Sequence, residues 1–240
     1  MTMGTSTAQA YGEPQYWDDR YANESAPFDW YQNYASLAPL IRLYVPHNHQ
    51  RILVVGCGNS AFSEDMVDDG YEDVVNVDIS SVVIKSMQNK YQNRPQLKYI
   101  EMDVKDMSAF EAGSFDAVID KGTLDSILCG SDGRHNSTQM LEEIGRVLKD
   151  EGVYIVITYG APQYRLSLLK QPSLWSIKLH VIEKFVAGRS PEQPPIRELT
   201  DPVPLDGDAR SVHAILGKNL DVHYIYVCTK EAKVKEEGGS

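Results

Sequence analysis

Short apolar runs recur through the middle of the chain, and stretches with helical spacing separate them. Arg51–Val55, Val74–Val77, Leu97–Met102, Phe115–Ile119 and Val153–Thr158 read as strands. The first is apolar on both faces, as a strand covered by helices on both sides must be. A helix is predicted after Ser60 to about Asp69, with Gly70 as its C′ residue. A second starts at Ser80 or Ser81, either of which can cap it, and reaches about Gln92. A third covers Ser137 to Leu148. This alternation predicts an α/β fold, a parallel sheet with helices on both faces.

The flanks read differently. Upstream, Tyr16–Tyr21 predicts a short helix whose Trp17 and Tyr21 share a face. Tyr34 to Tyr44 predicts another, stopped by Pro46. Downstream, Ile177, Leu179 and Val181 alternate with Lys178, His180 and Ile182 at roughly a strand period, and Tyr224 to Thr229 is a further apolar run. The segment between them holds Pro191, Pro194, Pro195, Pro202 and Pro204, which argues against a regular core element and for an insertion at about 186–216. Ala161 to Trp175 is expected to form a helix over the sheet's carboxyl edge. One domain is expected over 16–230, with disordered ends at 1–15 and 231–240.

Charge and composition narrow the function. Thirty-four acidic against 23 basic residues give a formal net charge of −11. A polyanion would be repelled and no basic run offsets this, so nucleic acid is not expected as a partner, whereas a cationic one would be attracted. No apolar stretch approaches the roughly 20 residues of a membrane span. The polar start of the chain lacks an apolar signal core. Cys57, Cys129 and Cys228 are far apart and odd in number, which fits a reducing, cytoplasmic setting. His47-x-His49 lacks a third ligand nearby, so no metal is expected.

The first chemical signal is Gly56–Cys57–Gly58 at the end of the first strand. Open parallel sheets bind ligands beyond the carboxyl ends of their strands. Glycines there let the backbone approach a ligand with no Cβ in the way. Asp78, at the end of the second strand, is placed to accept hydrogen bonds from both hydroxyls of a ribose. Asp103, within Met102–Asp103–Val104 at the end of the third, can accept from an adenine amine held between apolar side chains. Together these predict an adenosine-containing cofactor. Gly56-x-Gly58-x-x-Ala61 also satisfies the relaxed dinucleotide fingerprint. The roughly 50 residues before the turn and the lack of a second substrate domain oppose a nicotinamide cofactor.

These segments resemble the ordered motifs of the seven-stranded S-adenosylmethionine-dependent methyltransferases: Val54–Ser60, Val77–Asp78, Met102–Val104 and Phe115–Asp125. The Gly-Cys-Gly-Asn-Ser turn, the Asp-Lys-Gly-Thr-Leu-Asp block and the opening Tyr-Trp-x-x-Arg-Tyr resemble the branch that includes eukaryotic elongation factor 1-alpha lysine methyltransferases. The resemblance implies a Rossmann-like doubly wound sheet of order 3-2-1-4-5-7-6 with the last strand antiparallel. It implies S-adenosyl-L-methionine as cofactor and elongation factor 1-alpha as protein substrate. Trp17, Tyr21 and Trp30 would close over the cofactor and Arg20 would meet its carboxylate. Gly56 and Gly58 would face the methionine portion, with Lys121 near it. Asp78 would hold the ribose, and Ile79, Asp103 and Val104 the adenine.

Asp120, after the fourth strand, is the catalytic candidate in the position where substrate approaches in this fold. No Asn/Asp-Pro-Pro-aromatic motif follows it, which weighs against nucleobase or glutamine acceptors, and Thr123 stands where related lysine methyltransferases carry an aromatic residue. Transfer to lysine needs a neutral amine, and free lysine titrates near ~10.4. An apolar, aromatic channel lowers that value by desolvation. Tyr31, Tyr34, Tyr159, Tyr164 and Trp175 are candidate walls. The rival readings are a small-molecule methyltransferase and a cofactor-binding module without turnover.

Overall fold

The computed structural model describes residues 10–24, 26–47, 50–170, 175–184, 197–205 and 221–232. In chain order the elements are α1 (Pro14–Asn23), α2 (Tyr34–Tyr44), β1 (Arg51–Val55), α3 (Phe62–Asp68), β2 (Asp73–Asp78), α4 (Ser81–Lys90) and β3 (Leu97–Glu101). They continue with β4 (Phe115–Lys121), α5 (Thr123–Cys129), α6 (Gly133–Val147), β5 (Leu148–Thr158), α7 (Pro162–Leu169), β6 (Trp175–Glu183) and β7 (Val222–Lys230).

The strands form one seven-stranded sheet in the expected order, β3-β2-β1-β4-β5-β7-β6. The first five run parallel, and β7 is antiparallel to both β5 and β6. Alternation along β1 divides the core. Leu53 and Val55 pack with Val75, Val118 and the α6 residues Met140, Leu141 and Ile144. Ile52 and Val54 pack on the other face with Leu37, Leu40 and Ile41 of α2 and with Val83, Ile84 and Met87 of α4. Leu40 is fully buried, so Leu40→Ala would cost about 2–5 kcal/mol. Register then levels the strand ends. Val55 lies opposite both Val77 and Asp120, which brings Gly56, Asp78 and Lys121 to one edge.

Several boundaries differ from the sequence expectation. The first helix begins at Pro14 rather than Tyr16, because proline suits the first turn of a helix. Residues 10–15 of the expected disordered end are thus placed, with Tyr11 packed on Trp17. The helix expected up to Trp175 ends at Leu169, and Trp175 opens β6. Its indole donates to the Leu169 carbonyl at 2.7 Å, which folds the chain back there. Helix α5 carried no recognisable start signal, since Gly122 (φ +95°) precedes it and makes no side-chain cap. Asp120 supplies the cap instead, from within β4. In the proline-rich insertion, Val203 is buried and donates its N–H to the Leu179 carbonyl at 2.7 Å. Pro202 and Pro204 flank that single bridge on β6, the sheet's edge strand, as proline requires. The remainder of the insertion, with Pro191, Pro194 and Pro195, lies outside the described residues, as do 1–9 and 233–240.

Candidate active site

The turn after β1 is set by backbone conformation. Gly56 (φ +59°) and Gly58 (φ +53°) both occupy the left-handed region. A Cβ on Gly56 would lie 2.0 Å from Oγ1 of Thr123, whose hydroxyl donates to the Val55 carbonyl at 2.9 Å. A Cβ on Gly58 would lie 2.5 Å from the Tyr21 hydroxyl. The turn is thus held between α5 and α1. Two hydrogen bonds tie it to β2: Cys57 N–H to the Val77 carbonyl at 3.0 Å, and Gly58 N–H to Oδ2 of Asp78 at 2.9 Å. Oδ1 of Asp78 accepts from Ser80 N–H at 2.9 Å. Burial pushes this carboxyl up to about 6, against the pull of those N–H donors. Each oxygen keeps a lone pair for a further donor.

A cleft opens over this turn at the carboxyl ends of β1 to β4. It holds about 1280 Å³ of empty space, open solvent at the mouth included. Ile79, Met102 and Val104 form an apolar wall beyond Asp78. Asp103 lies on the same wall, with Oδ1 accepting from Lys105 N–H at 3.0 Å and Oδ2 3.4 Å from the Lys105 ammonium.

Helix α1 is the roof. Asp18 fastens it to the start of α4, accepting from the Ser80 hydroxyl at 2.5 Å. Trp17 stacks on Tyr21 at 5.9 Å, meets Trp30 edge-on at 6.4 Å and donates its indole N–H to the Tyr11 carbonyl at 2.9 Å. The Arg20 guanidinium lies 5.2–5.9 Å from the ring centres of Trp17, Phe28 and Trp30 and pairs with Glu24 at 3.2 Å. Lys121 is nearly buried, donating to Asp29 and to the Trp30 carbonyl at 3.0 Å each. Desolvation lowers its pKa, and Asp29 partly restores it. Every residue assigned to the cofactor from the sequence lines this one cleft: Trp17, Arg20, Tyr21, Trp30, Gly56, Gly58, Asp78, Ile79, Asp103, Val104 and Lys121.

The catalytic candidate does not. Asp120 is fully buried beneath the cleft, where it accepts from the N–H groups of Thr123 and Leu124 and from the Tyr154 hydroxyl at 2.8 Å. Burial raises its pKa to about 7, with these donors pulling downward. Its place is that of a helix cap. Two of the candidate channel walls also lie elsewhere. Tyr34 is buried against Phe62 and donates to Asp69, and Trp175 is in the core. Tyr159 and Tyr164 are exposed.

A side-chain cluster that sequence reasoning missed lies around Asp125, just beyond Gly122. Asp125 accepts from the hydroxyls of Tyr31 (2.7 Å) and Thr158 (2.5 Å), from Tyr159 N–H (3.3 Å) and from Arg165 (2.7 Å). Its second acid in the Asp-Lys-Gly-Thr-Leu-Asp block was visible, but its partners are scattered through the chain.

The comparisons agree with this geometry. A family model described as a methyltransferase domain matches residues 53–156. EEF1A lysine methyltransferase 4 of Bos taurus is 40% identical over 179 residues, covering 70% of this chain and 69% of that protein. The human eEF1A lysine and N-terminal methyltransferase is 37% identical over 188 residues, covering 76% of this chain but 27% of that longer protein. In fold, the chain is similar to the N-methyltransferase NodS from Bradyrhizobium japonicum, solved with S-adenosyl-L-homocysteine. Its TM-score is 0.58 at 11% identity, over 93% of this chain and 100% of that one. The chain belongs to the S-adenosylmethionine-dependent methyltransferases, in the branch that contains the EEF1A lysine methyltransferases.

Proposed function

We propose that this enzyme is a protein-lysine N-methyltransferase whose substrate is elongation factor 1-alpha. The observation that carries the reading is the 40% identity to EEF1A lysine methyltransferase 4 across 179 residues. The net charge of −11 suits a cationic protein surface and disfavours nucleic acid. Among the described residues no helix is long and apolar enough to cross a membrane. A cytoplasmic location accords with the proposed substrate.

The residues of the cleft fit the cofactor. S-adenosyl-L-methionine supplies a methyl group activated by a sulfonium, so positioning accounts for most of the catalysis. Asp78 accepts from the ribose hydroxyls with the lone pairs left by Gly58 and Ser80. Asp103 accepts from the adenine amine, with Ile79 and Val104 against the ring. Gly56 and Gly58 admit the methionine portion to the backbone, and Arg20 meets its carboxylate as a fork. Trp17, Tyr21 and Trp30 exclude water and cover the sulfonium by cation–π attraction. Lys121, held by Asp29, fixes the Asp29–Trp30 segment beside the methionine end. Asp120 acts only by capping α5 under the site.

Two assays test the reading in sequence. Calorimetric titration with S-adenosyl-L-homocysteine is expected to show one site. Incubation with labelled S-adenosyl-L-methionine and cell lysate is expected to label elongation factor 1-alpha on lysine. Label confined to small metabolites would favour a small-molecule methyltransferase, and binding with no label anywhere would mean a module without turnover.

A further inference from the structure

Gly122 lines the cleft, and the ring of Tyr31 lies against its far side. A Cβ on Gly122 would lie 3.2 Å from a ring carbon of Tyr31, so only a glycine separates the cleft wall from that phenol. Tyr31 itself has φ +64°, a conformation that a bulky L-residue seldom adopts. Such a conformation persists where surrounding contacts over-determine it. Here the contacts are explicit. Gln32 N–H donates to the Trp30 carbonyl at 2.8 Å, and the Gln32 side chain donates to the Glu183 carbonyl at 2.9 Å. The His223 ring lies 4.8 Å from the Tyr31 ring.

The hydroxyl is oriented as tightly as the ring. A phenol has one hydrogen to donate, and Tyr31 gives it to Asp125 at 2.7 Å. Asp125 is saturated by three further donors and neutralised by Arg165, so it holds that hydrogen bond without competing for another ligand. The Tyr31 oxygen can therefore only accept toward an incoming group. The half-exposed ring of Tyr159, 6.4 Å away at 61°, makes the other side of an aromatic corner open to solvent. Burial and the nearby Lys184 ammonium hold His223 down at about 4, so its ring carries no positive charge at neutral pH to repel an ammonium.

We propose that Tyr31 is the acceptor-binding residue and Asp125 its positioning residue: the Tyr31 oxygen accepts a hydrogen bond from an N–H of the substrate amine and so aims the nitrogen lone pair past Gly122 at the methyl carbon. This rests on the reading of the chain as a lysine methyltransferase. The lone pair forms the N–C bond as the C–S bond breaks, sulfur keeping that pair, and the surplus proton on nitrogen leaves to water. Tyr31 takes no proton, since burial and the Asp125 carboxylate push its pKa far up. An acceptor atom without a hydrogen, such as a carboxylate oxygen, finds no partner at Tyr31.

The test is Tyr31→Phe in the full chain, assayed on purified elongation factor 1-alpha with S-adenosyl-L-homocysteine affinity measured in parallel. The expected result is kcat lower by about 10- to 100-fold, with product affinity within about twofold of the parent. Asp125→Asn, which keeps an acceptor for the phenol, is expected to lose less, and adding Tyr31→Phe to it is expected to cost less than Tyr31→Phe costs alone. A Tyr31→Phe enzyme with parental kcat overturns the inference. So does one whose product affinity falls in step with kcat, because the residue would then serve the cofactor. If the parent binds S-adenosyl-L-homocysteine but never methylates elongation factor 1-alpha, the substrate reading falls and takes this inference with it.

Discussion

The cleft and the side-chain cluster beyond Gly122 are built by different means. On the cofactor side, geometry comes from the backbone and from near neighbours: two left-handed glycines, and a carboxylate that receives N–H groups from Gly58 and Ser80. On the proposed acceptor side, geometry comes from side chains that only the fold brings together. Tyr31 and Asp125 are 94 residues apart, and Gln32 and His223 are 191 apart. The electrostatics differ in the same way. Among the described residues no cation pairs with Asp78, whose pKa is pushed up to about 6, whereas Asp125 has Arg165 at 2.7 Å. The first carboxylate is left with capacity for a ligand. The second is consumed in fixing its neighbours.

That contrast can be broken most forcibly at Asp125. Asp125→Ala strands the buried Arg165 without its partner, and a stability loss of about 3–5 kcal/mol is expected in urea denaturation. A parental midpoint would mean that the cluster is not structural. Gly56→Ala places a methyl group against Thr123 in a left-handed turn, with an expected loss of about 2–3 kcal/mol by the same measurement. Gly58→Ala carries the same left-handed strain and meets the hydroxyl of Tyr21, so it should cost stability as well and also weaken cofactor affinity. Asp78→Ala removes the ligand acceptor itself, and calorimetry should find S-adenosyl-L-homocysteine weakened by about 1–3 kcal/mol. Unchanged affinity would remove Asp78 from the site.

The smallest effect is on pH. A carboxyl that titrates at about 6 accepts from ribose hydroxyls above that value and loses this capacity as pH falls through it. Affinity for S-adenosyl-L-homocysteine should therefore be roughly tenfold weaker at pH 5 than at pH 7.5. In Asp78→Asn this decline should vanish. A decline of the same size in the variant would assign it to another group.

The same division explains what could be read from the chain. Strand positions were legible in apolar runs, sheet order only through motifs resembling a known family, and the residues that line the cleft through those motifs together with a Gly-x-Gly turn and an acid at a strand end. Helix α5 was not, because its cap is Asp120, a strand residue reaching forward past a glycine. Position at the end of the fourth strand makes Asp120 a catalytic candidate in the sequence, whereas in the fold its carboxylate is buried and faces the helix start. Aromatic character alone does not say which way a ring faces, so the sequence does not distinguish Tyr34 and Trp175, which are buried in the core, from channel walls. Asp125 stood inside a recognised motif, yet its role depends on Tyr31, Thr158 and Arg165, and nothing local marks them as its partners.

A crystal structure with S-adenosyl-L-homocysteine bound tests the account most directly. The ribose hydroxyls are expected on the Asp78 carboxylate, the adenine beside Asp103 and Val104, and the sulfur facing Gly122 with Tyr31 beyond it. Adenine lodged on the Tyr31 side, or a ribose out of reach of Asp78, would contradict it.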